Sequence, residues 1–163
     1  MEIRQATPAD ADAISTIDNR EVTEGTATLD LVPRTVPEQQ RWIEDRSGGL
    51  AVLVAERAGE VLGFASLSFY RDRPGYRTSV EDSIYVDPGH QGSGVGSSLL
   101  GRLVETAQMH GFHAVFARIV GAGEASVSLH QRHGFELIGI ERQVGRKFGR
   151  WHDVAVLQRL LEP

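Results

Sequence analysis

Two adjacent carboxylates, one histidine and a run of glycines carry the chemistry this chain can offer. Glu81 and Asp82 stand side by side in "TSVEDSIYVDP". With a reference pKa of about 4.3, a carboxylate strips an alkylammonium only if burial raises that value or a water relays the proton. His130, in "EASVSLHQRHGF", titrates near 6.5 in isolation and can give or take a proton at working pH. Ser126 lies four residues before it, on the same face of the helix this segment predicts. Each also has a plainer reading, as a solvated strand carboxylate or a helix-surface pair. The spacings His110/His113 and His130/His133 suit a metal, but neither has a third ligand nearby, so no metal is expected.

The stretch "VDPGHQGSGVGSSLLGRLVE" puts Gly89, Gly92, Gly94 and Gly96 within eight positions and then becomes an apolar helical pattern. Such a loop leading from a strand into a helix presents bare N–H groups at the positive end of the helix dipole, which suits a phosphate or pyrophosphate. A purely structural turn is the competing reading. A P-loop fails, because no lysine lies near residues 89–98. A dinucleotide fingerprint starting at Gly92 meets Ser97 where its last glycine belongs, and "HAVFARIV" ends without the acidic residue that holds a ribose.

Just before Glu81, "FYRDRPGYRTSVE" supplies Arg71, Arg73 and Arg77 with Tyr70 and Tyr76. Guanidinium groups pair with carboxylates in bidentate fashion, as an amino-acid substrate requires, although any one of them also fits an exposed loop.

These residues need elements to hold them. "EIRQAT" alternates like a strand, and Thr7 and Pro8 open a helix with Ala9, Ala13, Ile14 and Ile17 on one side. Pro37 suits the first turn of a second helix, near 37–46, closed by Ser47-Gly48-Gly49. "LAVLVAER" and "EVLGFASLSFY" flank Ala58-Gly59 as a hairpin, and residues 78–88 form a third strand stopped by Pro88. A helix from about 95 to Gly111, the strand "HAVFARIV", a short helix ended by Gly134, and two closing strands around a Gly-Arg turn complete the chain. The order is strand, two helices, three strands, helix, strand, helix, two strands: a mixed α/β class with consecutive antiparallel strands before the glycine loop.

At 163 residues with no linker-like stretch, one domain spanning 1–163 is expected. The net charge of −5 argues against a nucleic-acid backbone as main partner. No apolar run approaches the roughly 20 residues of a membrane span, and the charged start lacks a signal-peptide pattern, so no membrane partner and a cytoplasmic location are expected. With no cysteine, disulfides, thiolate metal sites and a cysteine nucleophile are excluded.

Gln91-Gly92-Ser93-Gly94-Val95-Gly96, after "SIYVDP" and before an amphipathic helix, fits Q/R-x-x-G-x-G/A and resembles the acetyl-CoA loop of the GCN5-related N-acetyltransferases. "VEDSIYVDPGHQGSGVGSSL", "ASVSLHQRHGF" and "VGRKFGRWHDVAVLQ" are similar to the phosphinothricin and methionine sulfoximine acetyltransferases within that superfamily. The likeness implies a mostly antiparallel sheet of about seven strands flanked by about four helices. It also implies acetyl transfer from acetyl-CoA to the α-amine of a small amino-acid analogue by direct attack in a ternary complex. The alternatives are transfer to a peptide, protein or other amine, and a non-catalytic acyl-CoA sensor.

By the same resemblance, Ile84, Tyr85 and Val86 pair their main chain with the pantetheine arm, a backbone N–H near Val86 polarises the carbonyl, and Gln91 to Ser97 wrap the pyrophosphate. Glu81 is the implied base, and alternation along β-structure turns it away from the Asp82 side. His130 is implied to protonate the departing thiolate, with Ser126 near the sulfur. Arg71, Arg73 and Tyr76 match substrate-holding positions, and Leu29 and Lys147 with Phe148 complete the expected pocket. A homodimer built on the C-terminal strands is implied, with Trp151 as a buried anchor. One departure stands out: Gly123 occupies a position where related sequences usually carry a cofactor-contacting Asn.

Overall fold

The computed structural model describes residues 1–46, 48–121 and 123–162; Ser47, expected to help close the second helix, and Ala122 and Pro163 lie outside them. The elements follow the expected order: β1 (Glu2–Gln5), α1 (Ala11–Glu24), α2 (Val36–Glu44), β2 (Val52–Arg57), β3 (Glu60–Phe69), β4 (Ser79–Val86), α3 (Val95–Met109), β5 (Ala114–Val120), α4 (Glu124–Arg132), β6 (Glu136–Lys147) and β7 (Arg150–Leu160). The seven strands form one sheet in the order β1-β2-β3-β4-β5-β7-β6. Only β4 and β5 run parallel, because α3 carries the chain back between them.

Local rules account for most of the boundaries. Thr35 caps α2 by accepting from the Glu38 N–H at 3.2 Å, with Pro37 in the first turn. The β2–β3 turn places Ala58 and Gly59 at φ 51° and 81°, the left-handed pair that matches strand twist. The closing hairpin turns at Phe148-Gly149, at φ 54° and 70°, immediately before Arg150, so the second of the two Gly-Arg steps makes the turn; the first, Gly145-Arg146, is paired within the ladder against His152 and Trp151.

Helices cover both faces of the sheet. On one, α3 buries Val95, Leu99, Leu100 and Leu103 against Ala65, Leu67, Val80, Val115 and Leu157. On the other, Ile14 and Ile17 of α1 and Ile43 of α2 pack on Val52, Val54 and Phe64. Each buried aliphatic side chain contributes on the order of 1.5–3 kcal/mol. Among the described residues no helix is long and apolar enough to cross a membrane.

The feature that makes a site is a gap in the sheet. β4 and β5 pair only at Ser79–Glu81 against Ala114–Phe116. Beyond that point β4 stays with β3 as far as Val86, and β5 stays with β7 as far as Val120. The two halves of the sheet diverge, and α4 lies across the opening.

Candidate active site

The gap forms a cavity of about 390 Å³ lined by Asp82 to Tyr85, by Arg118 to Val120, by Gly123 to Ser126 with His130, and by Thr26 and Ala27. A second cavity, of about 430 Å³, runs from the glycine loop along α4 and is lined by Ile84, Val86, His90, Gln91, Gly92, Gly94, Gly96, Ser97, Leu129 and Arg132. Ile84, Ala125 and Ser126 line both, so they form one groove from the loop to the sheet gap.

Main-chain polarity along this groove follows from the strand register. Asp87 N–H donates to Leu62 O at 2.8 Å, so its alternate neighbours, Val86 and Ile84, turn their N–H and C=O groups to the opposite edge. That edge has no strand partner past Glu81 among the described residues. Buried main-chain groups need partners, which makes this free edge a place for an extended, amide-bearing ligand. Gln91 Nε2 reaches Val86 O at 3.5 Å, so the loop and the strand edge meet.

Gly94 caps α3 at φ 87° with no side-chain cap, and Gly92 is also left-handed, at φ 77°. A β-carbon on either would meet nothing within 4 Å, so the loop is an open cradle beneath the uncapped N–H groups of the first turn. Ser97, in that turn, bonds His133 Nε2 through its hydroxyl at 2.9 Å. Burial, with Arg159 nearby, lowers the His133 pKa, which favours the neutral ring. The two histidines three apart thus turn to different partners, His133 to Ser97 and His130 to Asp82.

Of the two adjacent carboxylates, each found its own environment. Alternation sends Asp82 to the α4 side, where it is buried against His130. His130 Nε2 lies 3.1 and 3.0 Å from the two Asp82 oxygens, and Nδ1 lies 2.8 Å from Ser126 O. Carboxylate and carbonyl only accept, so the doubly protonated imidazolium satisfies every contact. Burial opposes its charge, but the hydrogen bond and charge of Asp82, with the Ser126 carbonyl, outweigh that, and the His130 pKa is raised. The charged form of His130 is therefore favoured beside the groove, with both ring nitrogens turned to acceptors. Asp82, the neighbour of Glu81 in the chain, is what holds it.

Glu81 is half-buried on the other side of β4. Burial raises its pKa, and Arg118, whose Nε lies 3.6 Å from Glu81 Oε1, pulls the other way. Arg118 also donates to Glu141 of β6. Arg118 and Glu141 escaped sequence reasoning, since nothing in "HAVFARIV" or "GIERQV" separates a cavity arginine from a surface one. Tyr85 packs on Phe64, with ring centroids 5.4 Å apart, and burial pushes its phenol up to about 12.

The other expected substrate residues lie further out. Arg71, Arg73 and Tyr76 are exposed in the β3–β4 loop, where Arg71 sits over the Tyr70 ring at 4.7 Å. Tyr70 in turn stacks on Phe116 at 4.3 Å, beside the Glu81 pairing position. Lys147 does not line either cavity: it is buried, and its Nζ donates to Glu21 O at 3.0 Å and Thr28 O at 2.8 Å. It ties the segment after α1 to the closing hairpin, so that Leu29 rests on Gly145 while Thr26 and Ala27 reach the chamber. Trp151, expected as a buried anchor, is 59% exposed in the single chain, with Arg146 over its ring at 4.5 Å.

Residues 3–156 match the family model described as an acetyltransferase (GNAT) domain. An L-methionine sulfoximine/L-methionine sulfone acetyltransferase of Pseudomonas aeruginosa is 42% identical over 163 residues, covering 99% of this chain and 95% of that protein. A phosphinothricin N-acetyltransferase of Streptomyces coelicolor is 38% identical over 165 residues, covering 99% and 96%. Among solved structures, an acetyltransferase of Salmonella typhimurium with its cofactor acetyl-CoA superposes with a TM-score of 0.96 at 40% identity, covering 100% of this chain and 95% of that one.

Proposed function

This chain belongs to the GNAT acetyltransferase family, and from that premise we propose that it acetylates the α-amine of a small amino-acid analogue of the methionine sulfoximine, methionine sulfone or phosphinothricin type, using acetyl-CoA. The observation that carries the reading is the continuous groove from the open glycine cradle, past the free edge of Ile84 and Val86, to the chamber holding Asp82, Arg118 and His130 with Glu81 at its border.

The residues present suit that cofactor. The loop from Gln91 to Ser97 offers N–H groups at the start of α3 for the pyrophosphate, and the main chain of Ile84 to Val86 offers a strand edge for the pantetheine amides. Acetyl-CoA, when bound, supplies the acetyl group as a thioester open to a neutral amine. The Val86 N–H, turned into the groove, is the oxyanion-type donor. Glu81 Oε takes the proton from the substrate ammonium, directly or through water. His130 presents a fixed imidazolium toward the sulfur end, which stabilises negative charge without a side-chain nucleophile, and Ser126 holds the ring by its carbonyl.

A homodimer fits the outer hairpin, which exposes Leu137, Ile138, Ile140, Val144, Phe148 and Trp151 along the last strands of the sheet. Acetyl-CoA turnover with methionine sulfoximine, methionine sulfone and phosphinothricin, followed by Glu81→Gln, tests the reading. Tight acetyl-CoA binding with no acetylation of any of them, alongside acetylation of a peptide amine, would overturn it.

A further inference from the structure

Arg118 occupies a position that neither the glycine loop nor the exposed arginines explain. It stands on β5 two residues past the last β4–β5 pair, lines the sheet-gap chamber, and bridges Glu81 of β4 and Glu141 of β6. Its Nη2 donates to Glu141, while Nε stands at ion-pair distance from Glu81. A guanidinium carries five N–H donors in a planar fork, and the two on Nη1 have no partner among the described residues. One face of the fork is therefore left for a carboxylate.

The charges around it have a zwitterion's complement. Arg118 supplies one positive charge, and Glu81 and Glu141 supply two negative ones; the buried Asp82–His130 pair behind them is neutral overall. An α-amino acid brings a carboxylate and an ammonium one carbon apart. With its carboxylate on the Arg118 fork, its ammonium falls among the acidic neighbours of that same arginine. By contrast, Arg71 and Arg73 are exposed outside the chamber.

We propose that Arg118 is the residue that anchors the substrate carboxylate, and that in taking it Arg118 loosens its hold on Glu81 and leaves that carboxylate to accept the ammonium proton. The exchange balances: the amine loses H⁺, Glu81 gains it, and the guanidinium keeps its charge throughout. Selection for an α-carboxylate and activation of the base are then one event. The inference rests on the amino-acid reading above. Glu81 feels Arg118 from β5, Asp82 from its own strand, Arg71 from the β3–β4 loop and Glu141 from β6, so Arg118 is one of two positive charges facing it.

The test compares L-methionine sulfone with its decarboxylated counterpart, 3-(methylsulfonyl)propan-1-amine, on the full-length protein. Arg118→Gln is expected to raise KM for the sulfone at least ten-fold, to leave KM for the amine within about two-fold, and to leave acetyl-CoA affinity unchanged. Its acid limb in kcat/KM moves to higher pH, because the positive neighbour of Glu81 is gone. Arg118→Lys restores part of the sulfone affinity, since a point charge replaces a fork. Equal losses on both substrates, or none on either, overturn the proposal while wild-type turnover of the sulfone leaves the functional reading standing. Calorimetric titration of the sulfone onto wild type and Arg118→Gln in the presence of CoA gives a readout without turnover. Ten-fold weaker binding by the variant supports the anchor even if no acetylation occurs; equal binding sinks it.

Discussion

His130 Nε2 lies 3.0 Å from the Asp82 carboxylate while its Nδ1 lies 2.8 Å from the Ser126 carbonyl, so a single ring joins β4 to α4 with both its nitrogens in contact. The partners are 48 residues apart in the chain, and both are buried. This clamp fixes where α4 crosses the gap between β4 and β5, and hence the width of the groove.

The clamp predicts a pH-dependent stability. Because the folded pKa of His130 is raised, its contribution is fully present below the unfolded value of about 6.5 and is lost as pH rises through the folded one. Asp82→Asn should cost about 3 kcal/mol at pH 6, the low end for breaking a buried pair, and progressively less toward pH 9. Thermal unfolding across that range checks it; a loss independent of pH would mean the ring is neutral.

The proposed role of Glu81 as base predicts a different limb. Burial raises its pKa, so kcat/KM should fall with decreasing pH at values above the ordinary carboxylate range, as the base becomes protonated. Glu81→Gln should lower kcat by about 10²–10⁴-fold and abolish that limb. A full pH–rate profile of both proteins decides the matter.

The glycines of the loop should separate by backbone angle. Gly94→Ala forces a β-carbon at φ 87° and should cost about 1–2 kcal/mol while weakening acetyl-CoA binding. Gly96→Ala meets Leu129 at 3.4 Å and Val86 at 3.7 Å, ordinary contacts, so stability should be kept. Its methyl faces the groove and should raise KM for acetyl-CoA alone. Melting curves and acetyl-CoA kinetics on the two variants distinguish strain from blockage.

Lys147 should prove to act through the segment it ties down. Lys147→Met keeps the stem but leaves the Glu21 and Thr28 carbonyls without their donor, a loss of about 2 kcal/mol. Hydrogen exchange should rise across residues 25–35 and stay unchanged in β5. Unchanged exchange in that segment, with loss of substrate affinity, would return Lys147 to a direct binding role.

Gly123, at the N-terminus of α4, has φ −52° and open space around its missing β-carbon. Gly123→Asn is therefore sterically free to add a side-chain donor at the groove. Acetyl-CoA affinity should rise about three- to ten-fold, the worth of one added hydrogen bond, by titration against wild type.

Much of this architecture was legible in the chain itself. Continuous apolar runs such as "LAVLVAER", the apolar stripe of Leu99, Leu100 and Leu103, and stops such as Pro88 and Gly134 are local signals, and they placed every helix and strand in order. The open glycine loop was legible for the same reason, since Gly92 and Gly94 announce a backbone conformation. Even the separation of Glu81 from Asp82 came from the alternation of a strand.

What the amino-acid sequence determined, then, was everything set by neighbours a few residues away: the elements, the loop and the class of chemistry. Only the tertiary structure decided which charges meet: Asp82 with His130, Arg118 with Glu81 and Glu141, Lys147 with two carbonyls more than 100 residues distant. The reason is physical. A charge is nearly indifferent to its place until burial removes water, and burial is settled by how the sheet divides and where α4 and the closing hairpin pack.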